Sequence, residues 1–388
     1  CRFGTGHGEH LFLGEGGGGG GRTRSAGSME IDADLAVTRA EITDAAAATF
    51  ADSTVIPDRY ARPDEVGDGV VVGDEESHEL PLVDMARLLD SESSEAEAAK
   101  LGSACRDWGF FQLTNHGLDE SAVQDMKNNA VQFFRLPLEK KNAVAIEAGR
   151  LEGFGHHFAV ASCDKLDWAE SLILATQENE QTNMELWPAD PPTFRDALEK
   201  YSLEMSSLAR RLLRFMASDI GVEREALDGA FRGKRQTVAM HHYPPCRHPD
   251  KVIGITPHHD GLGLALLLHV DDTPGLQVRR GGRWFPLDPL PGALVVNVGD
   301  ILQVLTNGKY RSAEHRVLVD AERGRTTVVM FQGASVAGTV RPLPGLGEAR
   351  YRAIEYGEYV KGNFRALVEG TRFVDSLQTD VAQDEKEI

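Results

Sequence analysis

The sequence is poor in cysteine, in positive charge and in long apolar runs, and each shortage removes a class of protein. Four cysteines (Cys1, Cys105, Cys163 and Cys246) are scattered over 388 residues with no C-x-x-C pair. That scatter argues against a disulfide framework and fits a reducing cytosol. Lysine and arginine total 41 against 60 aspartates and glutamates, a formal net charge of -19. Nucleic acids and anionic membrane surfaces attract basic patches, so neither is expected as a partner. The longest apolar runs, "LGLALLL" and "GALVVNV", fall well below the roughly 18–20 residues that span a bilayer. Neither a G-x-S-x-G elbow nor a P-loop occurs, which sets aside hydrolase and kinase readings.

What is present is enough for a large core, since 41% of the residues are hydrophobic. Residues 1–28 begin without Met, contain six consecutive glycines and hold no apolar stretch of a cleavable signal. They read as a disordered leader or translated upstream sequence, with Met29 as a natural start and 29–78 as a partly flexible N-terminal segment. From residue 79, "ELPLVDMARLLD" and "KLGSACRDWGFFQLTNHG" read as strand, helix, strand. A helix follows with Asp119 as its N-cap, ending before Pro137. In the next stretch Phe194, Leu198, Tyr201, Met205, Leu208 and Leu212 recur at spacings of three and four. They mark a long amphipathic helix stopped at Gly221.

The period then changes from helical to alternating. Eight short β-rich runs follow between Gln236 and Ala334: "TVAMHHY", "VIGITPH", "LALLLHV", "GLQVRR", "RWFPL", "ALVVNVGDILQVL", "HRVLVD" and "RTTVVMF". Short strands with Gly, Pro and Asp between them indicate a sandwich or a double-sheet jelly roll. The helical period returns after about Pro344. The chain thus divides into an α/β region over 79–230, a β core over 231–340 and a helical lid and tail over 341–388.

"PHHDGLGLALLLHV" sets His258, His259 and Asp260 at the edge of such a run. His258 and Asp260, two apart on an extended chain, point to one side, and His259 points to the other and is given no metal role. His315 lies 55 residues beyond Asp260. Two imidazoles and one carboxylate make the facial triad of non-haem Fe(II) oxygenases, which leaves coordination positions open. H-x-D alone is a weak pattern and equally describes a surface turn. Ten residues after His315, Arg325 and Thr327 share one face of a run. A guanidinium and a hydroxyl pointing into a barrel call for an anion, and Arg grips a carboxylate bidentately. Tyr243 offers a further donor.

"HHYPPCRHPDKVIGITPHHDGLGLALLL", "GLQV", "RWFPLDPLPGALVVNVGDILQVLTNGKYRSAEHRV" and "RTTVVMFQ" resemble the plant Fe(II)/2-oxoglutarate-dependent dioxygenases. "ELPLVDMARLLD", "CRDWGFFQLTNHG", "KLDWAESL" and "LWP" resemble that family's upstream part, so the likeness spans most of residues 55–375. The nearest likeness is to the senescence-related and alkaloid O-demethylase-like group. The resemblance implies a mainly β fold with α: a double-stranded β-helix (jelly roll) core over 231–340, flanked by N-terminal and C-terminal helices. It implies that His258, Asp260 and His315 bind Fe(II), and that Arg325, Thr327 and Tyr243 bind 2-oxoglutarate. Thr327 stands where the family has serine and keeps the hydroxyl. His241 stands where the family has asparagine and is not assigned to the site.

The activity so implied is hydroxylation or O-demethylation of a small specialised plant metabolite, with O2 consumed, succinate and CO2 released and ascorbate in support. Phe331 would face the substrate pocket, and the helix around Tyr356 to Phe364 would act as a lid. Two rivals stand beside this reading: a same-fold oxidase that does not use 2-oxoglutarate, and a non-catalytic small-molecule binding protein. The expected state is a cytoplasmic monomer.

Overall fold

The computed structural model describes residues 47–51, 53, 55–67, 80–147, 152–156, 165–176, 183–231, 236–333 and 338–380. The leader expected over residues 1–28 lies outside the described residues. Strand β1 (Leu82–Asp84) leads through helix α1 (Ser94–Asp107) to β2 (Phe110–Thr114), as the sequence order requires. Helix α2 (Glu120–Phe134) begins where the Asp119 carboxylate accepts the amides of Ser121 and Ala122, which would otherwise lack partners at a helix start. Two further strands, β3 (Gly153–Gly155) and β4 (Glu170–Thr176), precede the long helix α3 (Phe194–Ile220). Gly221 ends α3 in the left-handed conformation, φ 79°, which only glycine adopts freely.

The eight β-rich runs become eight strands: β5 (Gln236–Tyr243), β6 (Ile255–His258), β7 (Leu264–His269), β8 (Leu276–Arg280), β9 (Arg283–Pro286), β10 (Leu294–Val298), β11 (His315–Val317) and β12 (Arg325–Gln332). Four of them, in the order β10-β7-β12-β5, form the middle of a large sheet, and β6-β11-β8-β9 form the small one. This is the jelly roll. β2 and β1 extend the large sheet beyond β10, while β4 and β3 extend it beyond β5.

Each inner strand divides its residues between two environments by simple alternation. On β7 and β12, Leu264, Leu266, Leu268, Val328 and Met330 join the core that also holds the apolar stripe of α3. Burying each such side chain contributes about 1.5–3 kcal/mol. Leu267, Arg325, Thr327, Val329 and Phe331 point the other way and line a cavity.

One expectation changes. "ALVVNVGDILQVL" does not run on as a strand: β10 stops at Val298, and helix α4 (Asp300–Leu305) takes over with all six residues buried. A run buried on every side carries no periodicity by which strand and helix can be told apart. Gly299 makes the turn possible, because a Cβ there would meet the Leu262 carbonyl oxygen at 2.2 Å. Helix α5 (Tyr356–Glu369) then adds Tyr356, Tyr359 and Phe364 to the cavity lining. No helix among the described residues is long and apolar enough to cross a membrane.

Candidate functional site

His258 ends β6 and His315 opens β11, and the two are paired in the antiparallel register of adjacent strands. Asp260 sits two residues past β6. Ligand atoms of the three lie within 4.8 Å of one another, the one such cluster among the described residues. Asp260 Oδ1 is 3.7 Å from Nε2 of each histidine. His259 contributes nothing to the cluster.

The backbone sets the orientation of both rings. His258 Nδ1 lies 2.8 Å from the Thr256 carbonyl oxygen, and His315 Nδ1 lies 3.1 Å from that of Ala313. A carbonyl only accepts, so each Nδ1 carries a proton, and a ring that binds a metal presents its Nε2 lone pair, while the Asp260 carboxylate raises the pKa of His258 against its burial. Asn297, on β10, donates to Asp260 Oδ2 at 2.7 Å and leaves Oδ1 for the centre. Burial works to raise the Asp260 pKa, but His315, His258 and Asn297 outweigh it and hold the carboxyl well below the usual range. Burial, then the charge of His258, pushes His315 down to about 4. An ionised carboxylate beside a neutral imidazole suits a cation.

A second polar group lies on the inner face of the large sheet. Arg325 and Thr327 project from β12 into a cavity of about 930 Å³ whose walls also include the three metal-type residues. Both are almost completely buried, and neither the three guanidinium nitrogens nor Thr327 Oγ1 has a hydrogen-bond partner among the described residues. Tyr243 is opposite Arg325 in register, its ring centroid 5.2 Å from the guanidinium carbon. Burial raises the Tyr243 pKa, so the phenol stays a donor. Leaving a buried guanidinium without an anion costs several kcal/mol, so this end is shaped for a carboxylate. His241 also faces the cavity, with Nδ1 2.8 Å from Ser171 Oγ.

The cavity therefore joins a His-Asp-His cluster to an anion pocket. Phe331, two residues beyond Val329 on β12, shares the lining with Tyr356 and Phe364. Sequence reasoning missed Asn297, whose position inside the apolar run "LVVNV" gives no cue until the fold brings Asp260 to it. It also missed the tie from α5, in which the Tyr359 hydroxyl donates to the Gly261 carbonyl at 2.8 Å.

Residues 80–190 match the family described as the non-haem dioxygenase in morphine synthesis N-terminal region, and residues 234–334 match the 2OG-Fe(II) oxygenase superfamily. The chain is 38% identical over 328 residues to 2-oxoglutarate-dependent dioxygenase 11 of Oryza sativa subsp. japonica, covering 84% of this chain and 92% of that protein. It is 34% identical over 333 residues to codeine O-demethylase of Papaver somniferum, covering 83% and 92%. The solved structure of JOX2 in complex with 2OG, Fe and JA superposes with a TM-score of 0.75 at 27% identity, covering 86% of this chain and 98% of that one.

Proposed function

This chain belongs to the 2OG-Fe(II) oxygenase superfamily, among plant dioxygenases close to the demethylase group, and from that premise we propose which residues carry the reaction. His258, Asp260 and His315 hold Fe(II), while Arg325, Thr327 and Tyr243 hold the far carboxylate of 2-oxoglutarate. The donor set fits the metal: two imidazoles with Nδ1 turned to backbone carbonyls and one ionised carboxylate on one side, the cavity on the other. When bound there, Fe(II) supplies the O2 chemistry that turns 2-oxoglutarate into succinate and CO2 while a substrate C–H bond is oxidised.

The protein's own part is placement. Arg325 offers a planar fork matching a carboxylate, and Thr327 adds a hydroxyl donor. Asn297 keeps one Asp260 oxygen occupied and the other turned to the centre. The Nδ1 contacts keep each Nε2 aimed at the metal. Tyr359, tied to Gly261, holds α5 against the cavity next to Asp260.

The substrate is a small plant metabolite, hydroxylated or O-demethylated. Phe331, Tyr356 and Phe364 give it aromatic walls, on which an aromatic ring stacks favourably. Four scattered cysteines without a C-x-x-C pair support a reducing cytoplasm, and the acidic net charge of -19 supports a monomer with neither nucleic acid nor membrane as partner.

The unpartnered Arg325 and Thr327 in one cavity with the His-Asp-His cluster carry this reading. Its test is a metabolite screen for substrate-stimulated succinate release with Fe(II), 2-oxoglutarate and ascorbate. Succinate formed in step with oxidised product supports it. Product formed without succinate would point to an oxidase that does not consume 2-oxoglutarate.

A further inference from the structure

His269 ends β7, next to β12, and nothing above gives it a role. It is opposite Thr327 in register, and directly opposed residues on neighbouring strands share a face, with Cβ atoms about 4.5–5.5 Å apart. The alternation of β7 gives the same side. Leu267, two residues earlier, lines the cavity, whereas Leu266 and Leu268 belong to the core beneath α3. The imidazole therefore stands in the layer of Thr327 and Arg325.

It is 7% exposed, and neither ring nitrogen has a hydrogen-bond partner among the described residues. Burial, then the charges of Arg325 and Lys127, push its pKa down to about 3. The ring is accordingly neutral, with one N–H donor and one acceptor.

Folded proteins leave few buried polar side-chain atoms without partners. Here the three nitrogens of Arg325, the hydroxyl of Thr327 and both nitrogens of His269 are unpartnered in one layer. A carboxylate has about four lone-pair sites. The Arg325 fork takes one on each oxygen; Tyr243 is paired with Arg325 from the β5 side, and His269 is paired with Thr327 from the β7 side. We infer that His269 is a further binding residue for 2-oxoglutarate, its neutral N–H donating to the far carboxylate from the β7 side. The inference rests on the reading that Arg325 holds that carboxylate.

The test is anaerobic calorimetry on the iron-loaded protein with two ligands: 2-oxoglutarate, and pyruvate, which has the same 2-oxo acid head and no far carboxylate. A hydrogen bond to a charged group corresponds to roughly ten-fold or more in affinity. His269→Leu is expected to weaken 2-oxoglutarate by about that factor and to leave pyruvate unchanged. His269→Gln, which keeps a donor of similar reach, is expected to restore most of the affinity. The ligand-free leucine variant should melt no lower than the parent, since an unpartnered ring has been replaced by an apolar one.

Arg325→Gln serves as the control. If it weakens 2-oxoglutarate while His269→Leu does not, His269 is idle and the inference falls alone. If Arg325→Gln changes nothing, the reading of the anion pocket falls first. Equal losses for both ligands in His269→Leu would make the residue structural and overturn the inference. Should the leucine variant fail to fold, His269→Gln against the shorter His269→Asn decides: equal affinities would sink it, and a loss confined to Asn and to 2-oxoglutarate would support it.

Discussion

At the end of the cavity proposed for the metal, on β6 and β11, each side chain is held by a neighbour of its own; at the end proposed for the anion, on β12 and β7, the polar side chains are buried without a hydrogen-bond partner among the described residues. His258 and His315 reach backbone carbonyls two residues away in sequence, and Asp260 receives Asn297. Arg325, Thr327 and His269 are placed by strand register and finish with open valences. The metal end is thus oriented before any ligand arrives. The anion end is a site whose burial cost is offset only when a carboxylate enters.

Breaking the metal end should have the largest effect. Asp260→Ala is expected to abolish turnover and to weaken Fe(II) binding severely, because two imidazoles hold a labile ion poorly against water. Circular dichroism should show the fold retained. Unchanged iron affinity would remove Asp260 from the metal site.

Breaking the anion end should look different. Arg325→Gln is expected to raise the KM for 2-oxoglutarate about ten- to a hundred-fold with iron still bound. Its ligand-free Tm should not fall, since an unpaired buried charge has gone. A lowered Tm would show that Arg325 is already satisfied in the free protein. Thr327→Val should shift the same KM by only about two- to ten-fold.

Asn297→Ala sharpens the contrast by loosening the metal end without removing a ligand. Lost partners of metal ligands cost about ten- to a hundred-fold in metal affinity, and the lower part of that range is expected, with 2-oxoglutarate affinity tested at saturating iron unchanged. Equal losses in both titrations would mean that the two ends are not independent.

The smallest effect concerns acid. Burial, the leading cause in each case, holds His156 and His242 at about 4 and His269 at about 3, all below the ordinary 6.5. The unfolded chain binds protons there that the folded chain refuses, so stability falls as pH drops from 6.5 towards those values. Burial lowers His116, His259 and His315 in the same sense, while Asp167, raised by burial to about 6, and the raised His258 and Asp300 act in the opposite sense, three groups against six. Urea midpoints of the metal-free protein at about pH 7.5 and about pH 5 should therefore show the lower stability at pH 5. In His269→Leu the difference should narrow.

Alternation made the strands legible, and α3 was legible from its three-four stripe and its terminal glycine. His258, Asp260 and His315, expected together from their residue types and from the resemblance of their flanking motifs, are brought within 4.8 Å of one another by the fold. Period two set Arg325 and Thr327 on one face, and both line the cavity. Asp300–Leu305 was not, since a helix buried all round has no polar side to show its period. His269 was hidden for a related reason: as the last residue of "LALLLH" it looks like the polar end of a strand. Its solitude becomes visible only when β12 is laid beside β7. Local signals survive in a sequence; pairings made across 58 residues, such as Thr327 with His269, do not.

The order of strands in the large sheet also governs how the chain can be made. β12 is the last of the core strands to be synthesised, yet it lies between β7 and β5, and β2 must wait for β10, with Phe110 paired to Asn297. Until Gln332 has left the ribosome, β5 and β7 each present an unpaired edge, and the floor of the cavity does not exist. Such long-range pairings close late and slowly, and open edges of this kind invite association with other chains. The same central strand that brings Arg325 to the cavity therefore delays assembly of the sheet, and nascent chains depend on protection from one another until that strand inserts.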